Sequence, residues 1–345
     1  MKTLILHLGL PKTGSTSIQE TFLYNPDPLA AAGFVYASIK WPDGPRNSNH
    51  SFPMIVSFSD GWQNSPEITR RGYSADGLKQ HFIQGILQAL DTDQNLILSG
   101  EDITDIPEEG LRAFSALAAE KGFDVRPVMF VRPPLEFVTS MSQTRVRHGE
   151  GYHVFKVGLS NRIEMSLKIW PDLLAIASKD AINHPHGPLG RLLDAFHLPS
   201  AEKFNVITSN ESMSEFATRI IGHLNTQLPL FLDGAVNPLR KYLDTEPLIR
   251  IKGPKFKLTR AEFLDIRNLI QSENANLERL LGANFCDPNF SFQDAPHAWT
   301  IGAIEELAEA MQTLSPHLQS TVRGYFSAST DISASEKAIA SRILA

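Results

Sequence analysis

The chain has 345 residues, of which 42% are hydrophobic and 20% are charged, and its formal net charge is −6. This composition is typical of a globular protein and disfavours nucleic acid as the main partner. The single cysteine, Cys286, excludes an internal disulfide framework and a cysteine-based zinc cluster, and no run reaches the roughly 18 apolar residues of a membrane span.

The first predicted element is a strand over residues 3 to 8. Its apolar run is too short for a signal sequence, so we expect a cytoplasmic protein without a targeting segment. Residues 9 to 16 follow, reading Gly-Leu-Pro-Lys-Thr-Gly-Ser-Thr, and a helix is predicted from residue 15 to residue 23. The backbone N–H groups of such a turn face an anion at the helix N-terminus. The segment therefore predicts a phosphate-binding loop.

The position of the lysine separates this loop from the common nucleotide-binding loops. A Walker A loop has its lysine directly after the second glycine, whereas Lys12 precedes Gly14 by two residues. This order argues against an ordinary ATPase or GTPase. Lys12 supplies positive charge, and Ser15 and Thr16 supply hydroxyl donors.

A second strand is predicted at residues 34 to 37, and residues 41 to 74 are predicted to form a long loop because they are rich in Gly, Pro, Ser, Asn and His. Such loops are usually lids or binding segments. His50 lies in this loop and is a candidate general base, since histidine titrates near neutral pH. A helix is predicted over residues 75 to 90.

A third strand, at residues 95 to 99, is followed closely by Glu101. A carboxylate at the carboxyl end of a central strand is well positioned to accept a proton from a bound substrate, so Glu101 is the first candidate for a general base. The alternative is structural, because such a residue often caps the next helix or pairs with an arginine. That next helix is predicted over residues 111 to 120.

The fourth strand, residues 125 to 131, ends at Arg132, and Ser140 follows eight residues later. If Pro134 begins a helix, Ser140 lies about two turns into it. Arginine offers a planar fork to a phosphate and serine adds a hydroxyl donor, so this pair predicts a second anion site. The structural alternative is a salt bridge at a helix end and an ordinary helix serine.

The later part of the chain predicts a loop at residues 148 to 160, a strand at residues 203 to 208, and helices after capping boxes at residues 212 to 215 and 259 to 262. Basic side chains after the second motif are candidates for an acceptor cleft or for an ordinary solvated face: Arg145, Arg147, Lys156 and Arg162. The alternation of strands and helices predicts an α/β fold with a mostly parallel sheet flanked by helices. We expect an α/β domain over residues 1 to 295 and a helical extension over residues 296 to 345.

Together the two motifs resemble those of sulfotransferases that use 3′-phosphoadenosine 5′-phosphosulfate (PAPS), above all the bacterial carbohydrate-type and heparan-sulfate-type branch. The loop at residues 9 to 16 is similar to their 5′-phosphosulfate loop, and residues 132 to 140 are similar to their 3′-phosphate motif. The resemblance is clear over residues 1 to 24 and 95 to 150 and vaguer up to residue 282. It implies the P-loop type of α/β fold found in these enzymes.

The resemblance also implies a role for each motif residue. Lys12 would neutralise the leaving oxygen, Arg132 and Ser140 would hold the 3′-phosphate, and Glu101 or His50 would be the base. The 5′-phosphate would be held by the loop residues Pro11, Lys12, Thr13, Gly14, Ser15 and Thr16. The acceptor would be a hydroxyl or amine of a carbohydrate or small metabolite, the product nucleotide would be adenosine 3′,5′-bisphosphate (PAP), and no metal is expected.

Two other functions fit parts of the sequence. A kinase-like P-loop enzyme is disfavoured by the displaced Lys12 and by the lack of an evident Mg²⁺-binding carboxylate pair. A non-catalytic protein that binds adenosine phosphates would keep the loop but lack the base. The sequence predicts neither the acceptor nor the oligomeric state.

Overall fold

The structure is a computed structural model, and it describes residues 1–10, 13–44, 46–64, 71–208, 212–232, 235–241, 243–287, 289–329 and 332–344. Two of the predicted ligand-binding residues, Pro11 and Lys12, lie outside these ranges. No helix within the described residues is long and apolar enough to span a membrane.

A five-stranded parallel sheet forms the centre of the α/β part. Its strands are β1 (Lys2–Leu8), β2 (Phe34–Tyr36), β5 (Asn95–Gly100), β6 (Phe123–Val131) and β7 (Leu174–Ala177), in the order β2-β5-β1-β6-β7. Two short antiparallel hairpins lie outside it: β3 (Ile39–Lys40) with β4 (Arg46–Asn47), and β8 (Phe231–Leu232) with β9 (Ala235–Val236).

Helices flank this sheet and make up most of the rest of the chain. Along the chain they are α1 (Ser15–Tyr24), α2 (Pro26–Ala31), α3 (Ser51–Phe58), α4 (Ala75–Leu90), α5 (Glu108–Glu120), α6 (Pro134–Arg147), α7 (Ser160–Ile169), α8 (Ser178–Ile182), α9 (Gly187–Ala195), α10 (Glu215–Gln227), α11 (Glu246–Ile249), α12 (Arg260–Leu281), α13 (Ile301–Met311), α14 (Pro316–Ala328) and α15 (Ala334–Ile343). Short 3₁₀ turns occupy Trp62–Asn64, Ile103–Asp105, Ala201–Lys203 and Ala283–Phe285. The predicted α/β fold with extra C-terminal helices is confirmed.

The described chain forms two compact units. The first comprises residues 1–134, 158–210 and 273–287, and the second comprises residues 135–157, 211–272 and 288–345. The division of the chain into compact units does not test whether residues 1 to 295 and residues 296 to 345 fold as separate domains. That predicted division stays a prediction.

The core of the first unit follows the alternation of side chains along the parallel strands. Ile5, Ile97 and Val128 lie in one buried cluster with Ile18 and Phe22 of α1. On α4, a stripe of buried apolar residues at helical spacing contributes to the core: Leu78, Phe82, Ile86 and Leu90. This burial holds the strand ends in a fixed register.

The second unit has a core of its own, built on α10 and the C-terminal helices. In α13 the residues Ile304, Leu307 and Met311 are buried on one face. Ser214 caps α10 by accepting a hydrogen bond from the N–H of Ala217, so the predicted cap at Ser212 is wrong by two residues.

The second unit also contains a partly buried ion pair between α10 and α12. Arg219 donates to Glu262 from Nη1 at 2.5 Å and from Nη2 at 2.9 Å, and the Tyr152 hydroxyl donates to Glu262 at 2.7 Å. Glu262 also accepts from the N–H of Thr259 at 2.7 Å, which confirms the second predicted capping box. Burial acts to raise the pKa of Glu262, but the hydrogen bonds and charge of Arg219 outweigh it and hold that pKa at about 2.

Two predicted elements are wrong. Residues 203 to 208 form no strand, because side chains in and just after α1 bond to their backbone. The Asn25 side chain bonds to both the N–H and the carbonyl of Asn205. The carbonyl of Ile207 accepts from the Ser17 hydroxyl, and the N–H of Ile207 donates to the Thr21 hydroxyl. The fifth strand of the sheet is β7 instead. The predicted loop at residues 41 to 74 contains α3 and the β4 strand, whereas residues 148 to 159 lack regular structure, as expected.

Candidate functional site

The carboxyl ends of three neighbouring strands carry most of the residues singled out in the sequence. The loop at residues 9 to 16 follows β1, Glu101 follows β5, and Arg132 follows β6. Since β1 lies between β5 and β6 and all three are parallel, these residues share one edge of the sheet. Glu101 and Arg132 are half-buried, and both interact with other groups of the protein.

Gly9 holds the loop against the end of β5. Its N–H donates to the carbonyl of Gly100 at 3.0 Å. A Cβ atom at position 9 would lie 2.7 Å from Ser15 Oγ and 3.2 Å from Glu101 Cα, so any other residue would require Ser15 or the backbone at Glu101 to shift. This close approach brings together the start of α1 and the backbone of the candidate base.

A glycine occupies the cap position of α1. Gly14 has a φ of 88° there, in the left-handed region that favours glycine, and it has no side chain that could cap the first turn. That turn, all of which is described, contains no acidic residue. The first-turn N–H groups of α1 are therefore suited to an external anion.

The hydroxyl groups of Thr13 and Ser15 are both buried and bond within the loop. Thr13 donates to the carbonyl of Leu10 at 2.7 Å and lies 3.1 Å from Ser15 Oγ. Because the Thr13 proton is used on Leu10, Ser15 is the donor between the two hydroxyls. These side chains shape the loop, and Thr16, which is half-buried, remains as the hydroxyl nearer to solvent.

His50 is fully buried, and both of its ring nitrogens bond to backbone. Nε2 lies 3.1 Å from the carbonyl of Ala37, to which it donates, and Nδ1 accepts from the N–H of Ser99 at 3.0 Å. Burial lowers the pKa of His50 to about 4. A general base needs a lone pair that faces the substrate, and His50 has none left. The structure therefore corrects the alternative assignment of the base to His50.

A second buried histidine connects β1, β5 and α1. His7 Nδ1 lies 2.8 Å from Ser99 Oγ, which also accepts from Gln19 Nε2 at 3.2 Å. Burial lowers the pKa of His7 to about 4, so the ring is neutral at pH 7. Sequence reasoning missed Ser99 and Gln19, although each is a polar residue within an apolar pattern. The network fixes the two strands from which the loop and Glu101 emerge.

The second motif has the predicted local structure. Arg132 directly follows β6, Pro134 begins α6, and Ser140 lies in the second turn of that helix. Arg132 belongs to the first unit and Ser140 to the second, so their joint action on one phosphate stays a prediction.

The basic residues considered for an acceptor cleft all have acidic partners. The pairs are Arg145 with Glu150, Arg147 with Glu246, Lys156 with Asp265 and Arg162 with Asp105. This pairing favours the structural interpretation over a role in binding an anionic acceptor. Among the residues that the structure describes, no group of three or more His, Cys, Asp or Glu side chains is arranged to hold a metal ion.

Comparison with known proteins adds little to this geometry. No protein-family model and no curated protein matches the chain. A solved structure from the PezAT chromosomal toxin-antitoxin system of Streptococcus pneumoniae is similar to 81% of this chain and 87% of its own, with 14% identity and a TM-score of 0.24. A likeness at that level carries no argument about fold or function.

Proposed function

We propose that the protein is a cytoplasmic PAPS-dependent sulfotransferase that acts on a hydroxyl or amine of a carbohydrate or small metabolite. The observation that carries the proposal is the glycine-capped N-terminus of α1, which follows β1 at the sheet edge where the neighbouring strands β5 and β6 end at Glu101 and Arg132. One anion at α1 and a second near Arg132 fit a nucleotide with phosphate at both the 5′ and 3′ positions.

In the proposed reaction the acceptor oxygen or nitrogen attacks the sulfur in line. The new bond to sulfur forms as the bond between sulfur and the bridging oxygen of the 5′-phosphate breaks, and PAP leaves. Glu101 accepts the proton that the acceptor loses. Lys12 neutralises the charge that develops on the bridging oxygen, so catalysis rests on positioning and on stabilising the leaving group.

We assign different roles to the loop groups, some of which shape the loop and others of which hold the 5′-phosphate. Thr13 and Ser15 keep the loop in shape, because their hydroxyls bond to each other and to Leu10. We therefore assign the phosphate contacts to the backbone N–H groups of the first turn of α1, to Thr16 and to Lys12. Arg132, with Ser140, would bind the 3′-phosphate, and the proposal includes no metal ion.

Thermal unfolding with nucleotides tests this function. Saturating PAP is expected to raise the melting temperature by about 5 °C, and ATP with Mg²⁺ by much less. Arg132→Ala should abolish that preference. Arg126→Ala is the matched control, since Arg126 lies on β6, the strand that ends next to Arg132, and pairs with Asp124 at the surface.

Transfer of radiolabelled sulfuryl from PAPS to a panel of acceptors is the second measurement. Equal stabilisation by PAP and by ATP with Mg²⁺ would favour the kinase-like alternative and contradict the proposal. Strong PAP binding without transfer to any acceptor would favour the non-catalytic alternative.

A further inference from the structure

A groove of about 500 Å³ runs along the outer edge of the sheet, between β2 and α4. One side consists of residues 35 to 38, at and beyond the end of β2. The other side is a stripe of α4 at helical spacing, formed by His81, Gln84, Gly85, Gln88 and Ala89. Leu96 also lines the groove. The groove is thus built entirely from the first unit and does not include the candidate catalytic residues.

The strand that borders the groove has an open edge. Among the described residues, β2 pairs only with β5. Gly33 and Ala37 both bond to β5. The carbonyl of Gly33 accepts from the N–H of Asn95, and the N–H of Ala37 donates to the carbonyl of Ile97, both at 3.0 Å. Because alternate residues of a strand point their backbone groups to opposite edges, Phe34 and Tyr36 direct theirs outward. Such groups are a template for a further strand.

The charged side chains of the groove are all cationic. Lys40 and Arg46, on the β3–β4 hairpin, are exposed, and His81 donates from Nε2 to the carbonyl of Lys40 at 3.0 Å. No Asp or Glu occurs among the described residues that line the groove. Nearby cations are paired instead, Arg71 with Asp43 and Lys79 with Asp60. In a chain with a net charge of −6, this is a local surface for acidic groups.

We propose that this groove binds an extended acidic peptide segment, which adds to β2 as an extra strand. Backbone hydrogen bonds to Phe34 and Tyr36 supply affinity, and carboxylates on alternate residues of the peptide face Lys40 and Arg46. Ala89 lines the groove with a small side chain and leaves room for an intervening side chain of the peptide. The partner is therefore a protein with an acidic strand-forming segment, and this binding is independent of the proposed transferase activity.

Fluorescence anisotropy with a labelled peptide, acetyl-TEVEVET-amide, tests the charge requirement. We expect saturable binding that weakens as salt is raised, and much weaker binding of the matched peptide with glutamine in place of glutamate. Lys40→Gln and Arg46→Gln together should weaken binding about tenfold. Lys79→Gln is the matched control, because Lys79 lies on α4 but does not line the groove.

N-methylated peptides test the strand geometry. Methylation of alternate amides removes donors from one edge of the peptide, so one of the two alternating sets should abolish binding and the other should leave it unchanged. Equal binding of both sets overturns the proposal, as does the absence of binding by any member of a library of acidic extended heptapeptides. Binding of a sulfated oligosaccharide in place of the peptides also overturns it and assigns the groove to saccharides. Stabilisation by PAP is expected to persist in the Lys40 and Arg46 variants. A failure of the peptide-binding proposal can therefore be distinguished from a failure of the proposed function.

Discussion

The position that a Cβ atom would take on Gly9 lies 2.7 Å from the Oγ of Ser15, closer than side chains approach one another. We expect Gly9→Ala to push the start of α1 away from β1, at a cost of about 1–3 kcal/mol in the free energy of unfolding. PAP binding should weaken with it, because the N–H groups of the first turn move. Urea unfolding and the PAP-dependent shift in melting temperature measure both effects.

A glycine elsewhere gives the control for this change. A Cβ on Gly324, in α14, would meet nothing within 4 Å, so Gly324→Ala should stabilise the protein by about 0.5–1 kcal/mol. If Gly9→Ala matched the parent in stability and PAP binding, the close packing of the loop would have no functional role.

Glu101→Gln is expected to lower turnover by about 10²–10⁴-fold, because glutamine cannot accept the acceptor's proton. PAP binding should be unchanged, which separates catalysis from nucleotide affinity. Single-turnover sulfuryl transfer is the measurement, and Glu120→Gln, at the exposed end of α5, is the control. Unchanged turnover in Glu101→Gln would remove Glu101 from the role of base.

His50→Ala should destabilise the fold by about 3 kcal/mol, because it leaves the buried carbonyl of Ala37 and the N–H of Ser99 without partners. Sulfuryl transfer per folded molecule should survive at a temperature where the variant remains folded. His317→Ala, at an exposed position in α14, should change neither quantity. Loss of turnover in a fully folded His50→Ala protein would restore His50 as a candidate base.

Acidification should destabilise the protein through its two buried histidines. The pKa values of His7 and His50 are lowered from 6.5 to about 4 in the fold, because burial disfavours the charged rings. The unfolded chain takes up protons that the folded chain excludes, so stability is full above pH 6.5 and falls as the pH drops towards 4. Urea midpoints across this window measure the slope, which should be shallower in His7→Gln. An identical slope in the two proteins would contradict the burial of a neutral His7.

Glu262→Gln should cost about 1.5–3 kcal/mol, because it removes the carboxylate that bonds to the partly buried Arg219 and leaves the more distant Glu215, at 3.7 Å, as its acidic partner. Since the pKa of Glu262 is held at about 2, its stabilisation is present above pH 4.5 and is lost as the pH falls from 4.5 towards 2. Asp265→Asn, in the same helix, breaks an exposed pair with Lys156 and should cost less than about 1 kcal/mol. Equal effects of the two changes, measured by urea unfolding, would show that the Arg219 pair is no stronger than a surface pair.

Local patterns were sufficient to predict four strands of the sheet and the helix Ala75–Leu90, whose apolar stripe matches the buried residues. They failed where distant residues decide the outcome. Residues 203 to 208 carry an apolar strand pattern, yet Asn25 and hydroxyl groups of α1 bond their backbone. Strand β7 has only four residues, Leu174–Ala177, too few to establish a period.

The candidate site shows the same limit. The glycines and the order of the loop residues predicted an anion site, and the structure adds the contact of Gly9 with Ser15 and Glu101. The sequence could not assign His50, because its environment depends on Ala37 and Ser99, which lie far from it along the chain. A histidine in a polar segment has the same pattern whether it is exposed or buried.

The central position of β1 has a consequence for how the protein is made. Leu4 pairs with Leu96 on one side and with Val125 on the other, so both neighbours of the first strand are synthesised long after it. Sheets with such distant pairings fold slowly, and the apolar face of β1 has no partner during that interval. The proposed nucleotide site, which includes Arg132 after β6, is therefore complete only when β6 has left the ribosome.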